Sequence, residues 1–147
     1  MEPMPSHTAS PLSQASAYGL AMLLGVAGVA HFIATPTYAL IVPRVLPAPR
    51  VWVLVSGAAE LGCAGLLLAP RTRRAGAWCT LALLLGVWPA NMQMALNGGI
   101  AGHGRLLGDP LAAWVRVPLQ IPLCYWAYRL TRSPVPATST ARVHDPD

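Results

Sequence analysis

The stretch Val51–Ala69, VWVLVSGAAELGCAGLLLA, decides the fold: it is apolar from end to end except for one charge, Glu60. About 20 helical residues at ~1.5 Å each cross a hydrocarbon core of about 30 Å, so the run reads as a membrane-spanning helix. A carboxyl inside such a helix is expensive and seldom idle. Three further windows share the same character: Ala17–Ala34 (AYGLAMLLGVAGVAHFIA), Ala75–Leu96 (AGAWCTLALLLGVWPANMQMAL) and Leu111–Leu130 (LAAWVRVPLQIPLCYWAYRL). The last is the most polar, with Arg116, Gln120, Arg129, Pro118 and Pro122. Proline is tolerated in membrane helices when neighbours satisfy the freed carbonyls, so this helix is expected to be kinked and packed inside. The expected architecture is all-α, a four-transmembrane-helix bundle.

Composition agrees. The chain has 147 residues, long enough for one domain; 54% are hydrophobic and only 10% charged, against roughly a quarter charged in soluble domains. A net charge of +5 raises the question of nucleic acid. All ten basic residues are Arg, scattered between apolar runs rather than gathered on one face, so nucleic-acid binding is rejected. The expected partner is the lipid bilayer, with a membrane-protein partner or a second copy of the chain beside it. Residues 1–16 are polar and Pro/Ser-rich, without the basic stretch of a signal peptide, and read as a flexible tail. Residues 17–132 form the membrane domain, and 133–147, again rich in Pro, Ser and Thr, read as a disordered tail.

Orientation follows from the arginines. With four spans, the N-terminus, the second loop and the C-terminus share a side. That side carries Arg71, Arg73, Arg74, Arg129, Arg132 and Arg142, against Arg44, Arg50 and Arg105 opposite. Positive loops stay inside, so the chain is expected to be a multi-pass protein of the cell membrane with both termini cytoplasmic. Tyr18, Trp78, Tyr125 and Tyr128 fall near the inner interface, and Tyr38, Trp52 and Trp114 near the outer one. The first loop, Thr35–Arg50, holds four prolines among apolar residues; it cannot be one helix and is expected to lie in the outer interface as a cap. The third loop, Asn97–Pro110, is Gly-rich.

Counting along each helix puts five polar side chains in the outer half of the membrane. His31 lies roughly 5 Å deep, Asn91 and Arg116 roughly 8 Å, Glu60 and Gln120 roughly 14 Å. Small residues flank Glu60 at helical spacing (Ser56, Gly57, Cys63, Ala64), so the carboxyl should face another helix. Ala27 and Gly28 flank His31, and Asn91 follows Pro89, which frees a carbonyl. Glu60 is expected to pair with Arg116, directly or through water, with His31 and Asn91 completing the hydrogen bonding. If His31 faces Glu60, the pair could pass protons, since histidine titrates near neutral pH. A buried pair can equally do no more than fix which helices pack together.

The chain has no Walker loop, no dinucleotide fingerprint, no nucleophile elbow and no CxxC. Cys63, Cys79 and Cys124 read as small apolar residues in helices. His7, His103 and His144 lie in tails or loops, and no pair of histidines has metal-ligand spacing, so no metal is expected.

The strings GVAGVAHF, PTYALIVPRVLP, SGAAELGCAGLLLAPRTRRAGAW, WPANMQMAL and WVRVPLQIPLCYWAYRLTR, spanning Ala17–Arg132, resemble the DoxX-like family of small bacterial membrane proteins. The resemblance implies a four-helix membrane bundle, with Glu60, Arg116 and His31 at polar positions typical of the family. Its namesake is a subunit of a thiosulfate:quinone oxidoreductase, but most members have no established activity. Two functions are therefore weighed. In the first the protein is a non-enzymatic accessory or assembly subunit of a membrane complex. In the second it is a redox-linked subunit handling quinone or protons at the layer of His31, Glu60, Asn91, Arg116 and Gln120. No cofactor is expected under the first; a quinone is the one the second would take.

Overall fold

The structure, a computed structural model, describes residues 11–100, 102 and 108–132. The tail residues 1–10 and 133–147, and with them His7, His144 and Arg142, lie outside the described residues, as do His103 and Arg105. Among the described residues there are five helices and no strand: α1 (Pro11–Ile33), α2 (Thr35–Ala39), α3 (Pro49–Leu68), α4 (Arg73–Leu96) and α5 (Pro110–Thr131). Three of them are long and apolar enough to cross a membrane, over Ser13–Ile33, Pro49–Leu68 and Arg73–Leu96. α5 is as long, but its arginines, Gln120 and two internal prolines keep it out of that class. Large apolar side chains point outward along the helices, among them Met22, Val26, Ile33, Leu96 and Leu111. Such a surface is that of a protein in contact with lipid.

The ends of the helices are set by local chemistry. α1 begins at Pro11, well before Ala17, so the expected tail 1–16 is helical in its last part. Ser16 in that extension accepts a hydrogen bond of 2.6 Å from the Trp126 indole of α5. α3 starts with Pro49 in the first turn after Ala48, whose φ of 52° is the left-handed one rare outside glycine. α5 starts on Asp109, whose carboxylate accepts the Leu111 N–H at 2.8 Å ahead of a first-turn Pro110. α4 ends in a Schellman turn: Gly98, at φ 72°, donates to Ala95 O while Gly99 donates to Met94 O.

The long helices pack in chain order, α1 on α3, α3 on α4 and α4 on α5, and α1 also touches α5. Consecutive long helices run antiparallel, since the start of α1 packs with the end of α3 and the start of α4 with the end of α5. α3 and α5 are thus diagonal to each other. The larger core joins all four at the end holding the α3–α4 turn: Leu20, Leu24, Leu67, Leu84, Ala127 and Leu130 are its main members. A smaller cluster, Met94, Ala95, Ile100 and Ala113 with Ile41 and Val117 against it, fills the other end. The first loop is not one helix; it folds as α2 and a series of turns, and α2 lies against α3 and α1.

Candidate functional site: a histidine–glutamate pair at a glycine crossing

The centre of the site is where α1 and α3 cross. Gly28 and Gly57 let the two backbones touch. A Cβ on Gly28 would lie 2.9 Å from the Gly57 carbonyl oxygen, and one on Gly57 would lie 2.7 Å from the His31 Cβ. Close approach through small residues is the usual basis of helix association in membranes. Each glycine stands three residues before a polar residue, in Gly28-x-x-His31 and Gly57-x-x-Glu60. The crossing therefore brings the two polar side chains together on the same faces.

His31 Nδ1 lies 3.2 Å from Glu60 Oε2 and 2.8 Å from the Ala27 carbonyl oxygen. A backbone carbonyl can only accept, so Nδ1 carries a hydrogen and donates it to Ala27. That leaves Nε2 as the nitrogen that holds the lone pair in the neutral ring and takes the second proton in the charged one. Glu60 Oε2 is buried without a hydrogen bond, so its contact with the imidazole is one of proximity. Ser56 Oγ, one turn earlier on α3, is also buried without a partner. The Glu60 side chain keeps only 9% of its surface, while the His31 side chain keeps 16%. The histidine is thus the more accessible of the two.

Tyr38 completes the site. Its ring stacks on the imidazole with centroids 4.4 Å apart and planes 17° apart. α2 holds it there, anchored by Thr35, whose hydroxyl donates to His31 O at 2.7 Å and approaches Phe32 O at 3.0 Å. These bonds satisfy carbonyls that the end of α1 leaves open.

The other expected members of the layer lie elsewhere. Asn91 Nδ2 donates to Gln120 Oε1 at 2.9 Å, and Gln120 Nε2 donates to the Leu84 carbonyl at 2.5 Å. Pro89 has no N–H for the Leu85 carbonyl, and the Gln120 amide enters α4 at the adjacent residue. Arg116 does not replace His31 beside Glu60: its Nη1 lies 3.5 Å from Met94 Sδ, across the α4–α5 contact. The expected Glu60–Arg116 pair is therefore corrected to Glu60–His31. The reason is the packing order, which places α5 against α4 and diagonal to α3. The five residues form two polar groups, one between α1 and α3 and one between α4 and α5.

The residue-by-residue reading missed Tyr38 as a neighbour of His31, and it missed Arg73. Expected in the second loop, Arg73 is only 6% exposed. Its Nε donates to Leu67 O at 3.0 Å and its guanidinium lies 5.5 Å from the Tyr18 ring centre. The signal that could have found it was Gly76, where a Cβ would come within 2.9 Å of the Leu66–Leu67 backbone and which therefore docks the first turn of α4 on α3. Among the described residues, no group of three or more His, Cys, Asp or Glu side chains could hold a metal.

No curated protein and no solved structure matches the chain. Residues 20–131, which include both polar groups and the glycine crossing, match the profile of a family described as a domain of unknown function (DUF8561). With most of its length inside that match, the chain belongs to the DUF8561 family.

Proposed function

We propose that the protein is a DoxX-like, four-span protein of the cell membrane with both termini cytoplasmic. In this reading it serves as a non-enzymatic accessory or assembly subunit of a larger membrane complex. The observation that carries the reading is the outward face of α3. Ala58, Gly62 and Gly65 are all exposed, at spacings of four and three residues, and they line the side of the helix opposite Glu60, with exposed Ala69 just past its end. A surface made only for lipid has no need of small residues, whereas a neighbouring transmembrane helix packs closely on them. A Cβ added at Gly62 or Gly65 would meet no atom within 4 Å, so side chains there leave the fold undisturbed. Purification of the tagged chain from its native membrane, beside Gly62→Leu and Gly65→Leu, tests the reading. A second polypeptide retained by the native chain and lost from both variants supports it. Native and variant chains that purify alike as bare monomers overturn it.

The buried His31–Glu60 pair favours a second reading, a redox-linked subunit handling protons or quinone at this layer. The imidazole lies 3.2 Å from the carboxyl, and with Nδ1–H held on Ala27 O, Nε2 is the nitrogen free to take up and release a proton beside it. A quinone that copurifies with the native chain and is lost in a folded Glu60→Gln variant would favour this reading over the first.

A further inference from the structure

The arginines of one end of the molecule are held in an arrangement that suits an anion from outside the chain. The α3–α4 turn and the end of α5 bring Arg71, Arg73, Arg74, Arg129 and Arg132 to the same end. The only acidic residues among the described ones, Glu60 and Asp109, lie away from it: Asp109 caps α5 at the far end and Glu60 faces His31. Three of the arginines are posed on tyrosines. Arg73 lies 5.5 Å from the Tyr18 ring centre, Arg129 lies 5.9 Å from that of Tyr125, and Arg132 lies 4.6 Å from that of Tyr128. Arg129 Nη1 also donates to the Tyr125 hydroxyl at 3.2 Å, and Arg132 Nη2 donates to the Tyr128 hydroxyl.

Tyrosine marks headgroup depth in a membrane, so the exposed Arg129 and Arg132 pairs hold guanidinium groups where lipid phosphates lie. A guanidinium offers a fork of donors that matches a phosphate, and Arg129 and Arg132 each keep donors beyond the one used on tyrosine. Arg73 adds a second, independent sign. It is more than nine-tenths buried, its Nε is spent on Leu67 O, and its Nη2 has no acceptor. A buried cation without a counter-charge is costly, and an anion at this end would lower that cost.

We propose that this end is a binding surface for anionic phospholipid, the phosphate diester of the headgroup engaging Arg129 and Arg132 within the field of Arg71, Arg73 and Arg74. The inference rests on the four-span reading, which places this end at a membrane surface.

The test is native mass spectrometry of the full chain in detergent, titrated with phosphatidylglycerol, with phosphatidylcholine of the same acyl chains, and with inorganic phosphate. Phosphatidylglycerol should be retained in preference to phosphatidylcholine. The preference should fall roughly fivefold for each arginine removed in R129Q and R132Q, both outside the buried core. R44Q with R50Q, at the opposite end, should leave it unchanged. Equal retention of the two lipids overturns the proposal. So does a preference that survives R129Q with R132Q, or displacement of the lipid by inorganic phosphate at equal concentration, which would make this a site for small anions. Alkaline carbonate washing of native membranes is read separately: release of the chain would sink the four-span reading itself, whereas retention with no lipid preference sinks only this inference.

Discussion

At the scale of single residues, the glycine crossing and the pair it creates make opposite demands. Gly57→Ala places a methyl group 2.7 Å from the His31 Cβ and 3.0 Å from the Gly28 carbonyl, and backbone cannot move aside cheaply. We expect a loss of about 1–3 kcal/mol in detergent unfolding titrations. Gly25→Ala, with nothing within 4 Å, should be neutral or slightly stabilising. Equal stabilities for the two variants would mean that the helices do not meet at Gly57. The pair itself is tested by a double-mutant cycle. Removing one partner strands the other in the interior and should cost about 3 kcal/mol, whereas Glu60→Met with His31→Leu should be less destabilised than the single changes predict together. Strictly additive losses would show that the two side chains do not interact. Both residues were legible in the sequence, because a charge and an imidazole stand out in apolar runs. The partner of Glu60 was not. Depth counted from helix ends ranks residues along the membrane normal but says nothing of which helices are neighbours, and Arg116 sits at a suitable depth on a helix diagonal to Glu60.

At the scale of elements, α5 is the helix whose existence was clear and whose role was not. Its prolines and arginines lower its apolarity, yet Asp109 and Pro110 start it and the α4 contact holds it. Gln120 is the joint between the two helices, because it both accepts from Asn91 and donates to the Leu84 carbonyl near the Pro89 break. Gln120→Leu should therefore cost more than Asn91→Ala, about 1–2 kcal/mol against about 0.6 kcal/mol, as polar contacts between membrane helices go. Unfolding titrations of both variants measure the order; the reverse order would place the joint on Asn91. α2 was invisible for a different reason. Four prolines rule out a long helix across the first loop but leave room for a single turn, and only tertiary contact with α3 turns that segment into the support of Tyr38. Arg73 was hidden the same way: a run of arginines between spans reads as a wet loop until the close dock of Gly76 on α3 draws Arg73 under the surface.

At the scale of the whole molecule, the asymmetry of charge is the basis of the proposed orientation. Arg71, Arg73, Arg74, Arg129 and Arg132 share one end, and Arg44 and Arg50 lie toward the other. Arginine in short loops resists translocation, so the proposed topology predicts the richer end on the cytoplasmic side. The prediction needs reporters on both ends that leave the fold intact. Arg44 and Arg74 are suitable, since both are exposed, Arg44 in the first loop and Arg74 in the first turn of α4. In a chain whose Cys63, Cys79 and Cys124 are replaced by alanine, Arg44→Cys should react with a membrane-impermeant maleimide on intact cells. Arg74→Cys should react only after the membrane is opened. Labelling of Arg74→Cys alone on intact cells would invert the topology. Labelling of both would mean that no single crossing separates the two positions, and α3 would lose its standing as a span. Because α3 carries Glu60 toward α1 and its small residues outward, the same result would remove the membrane setting from the acid–base pair and from the proposed partner face together.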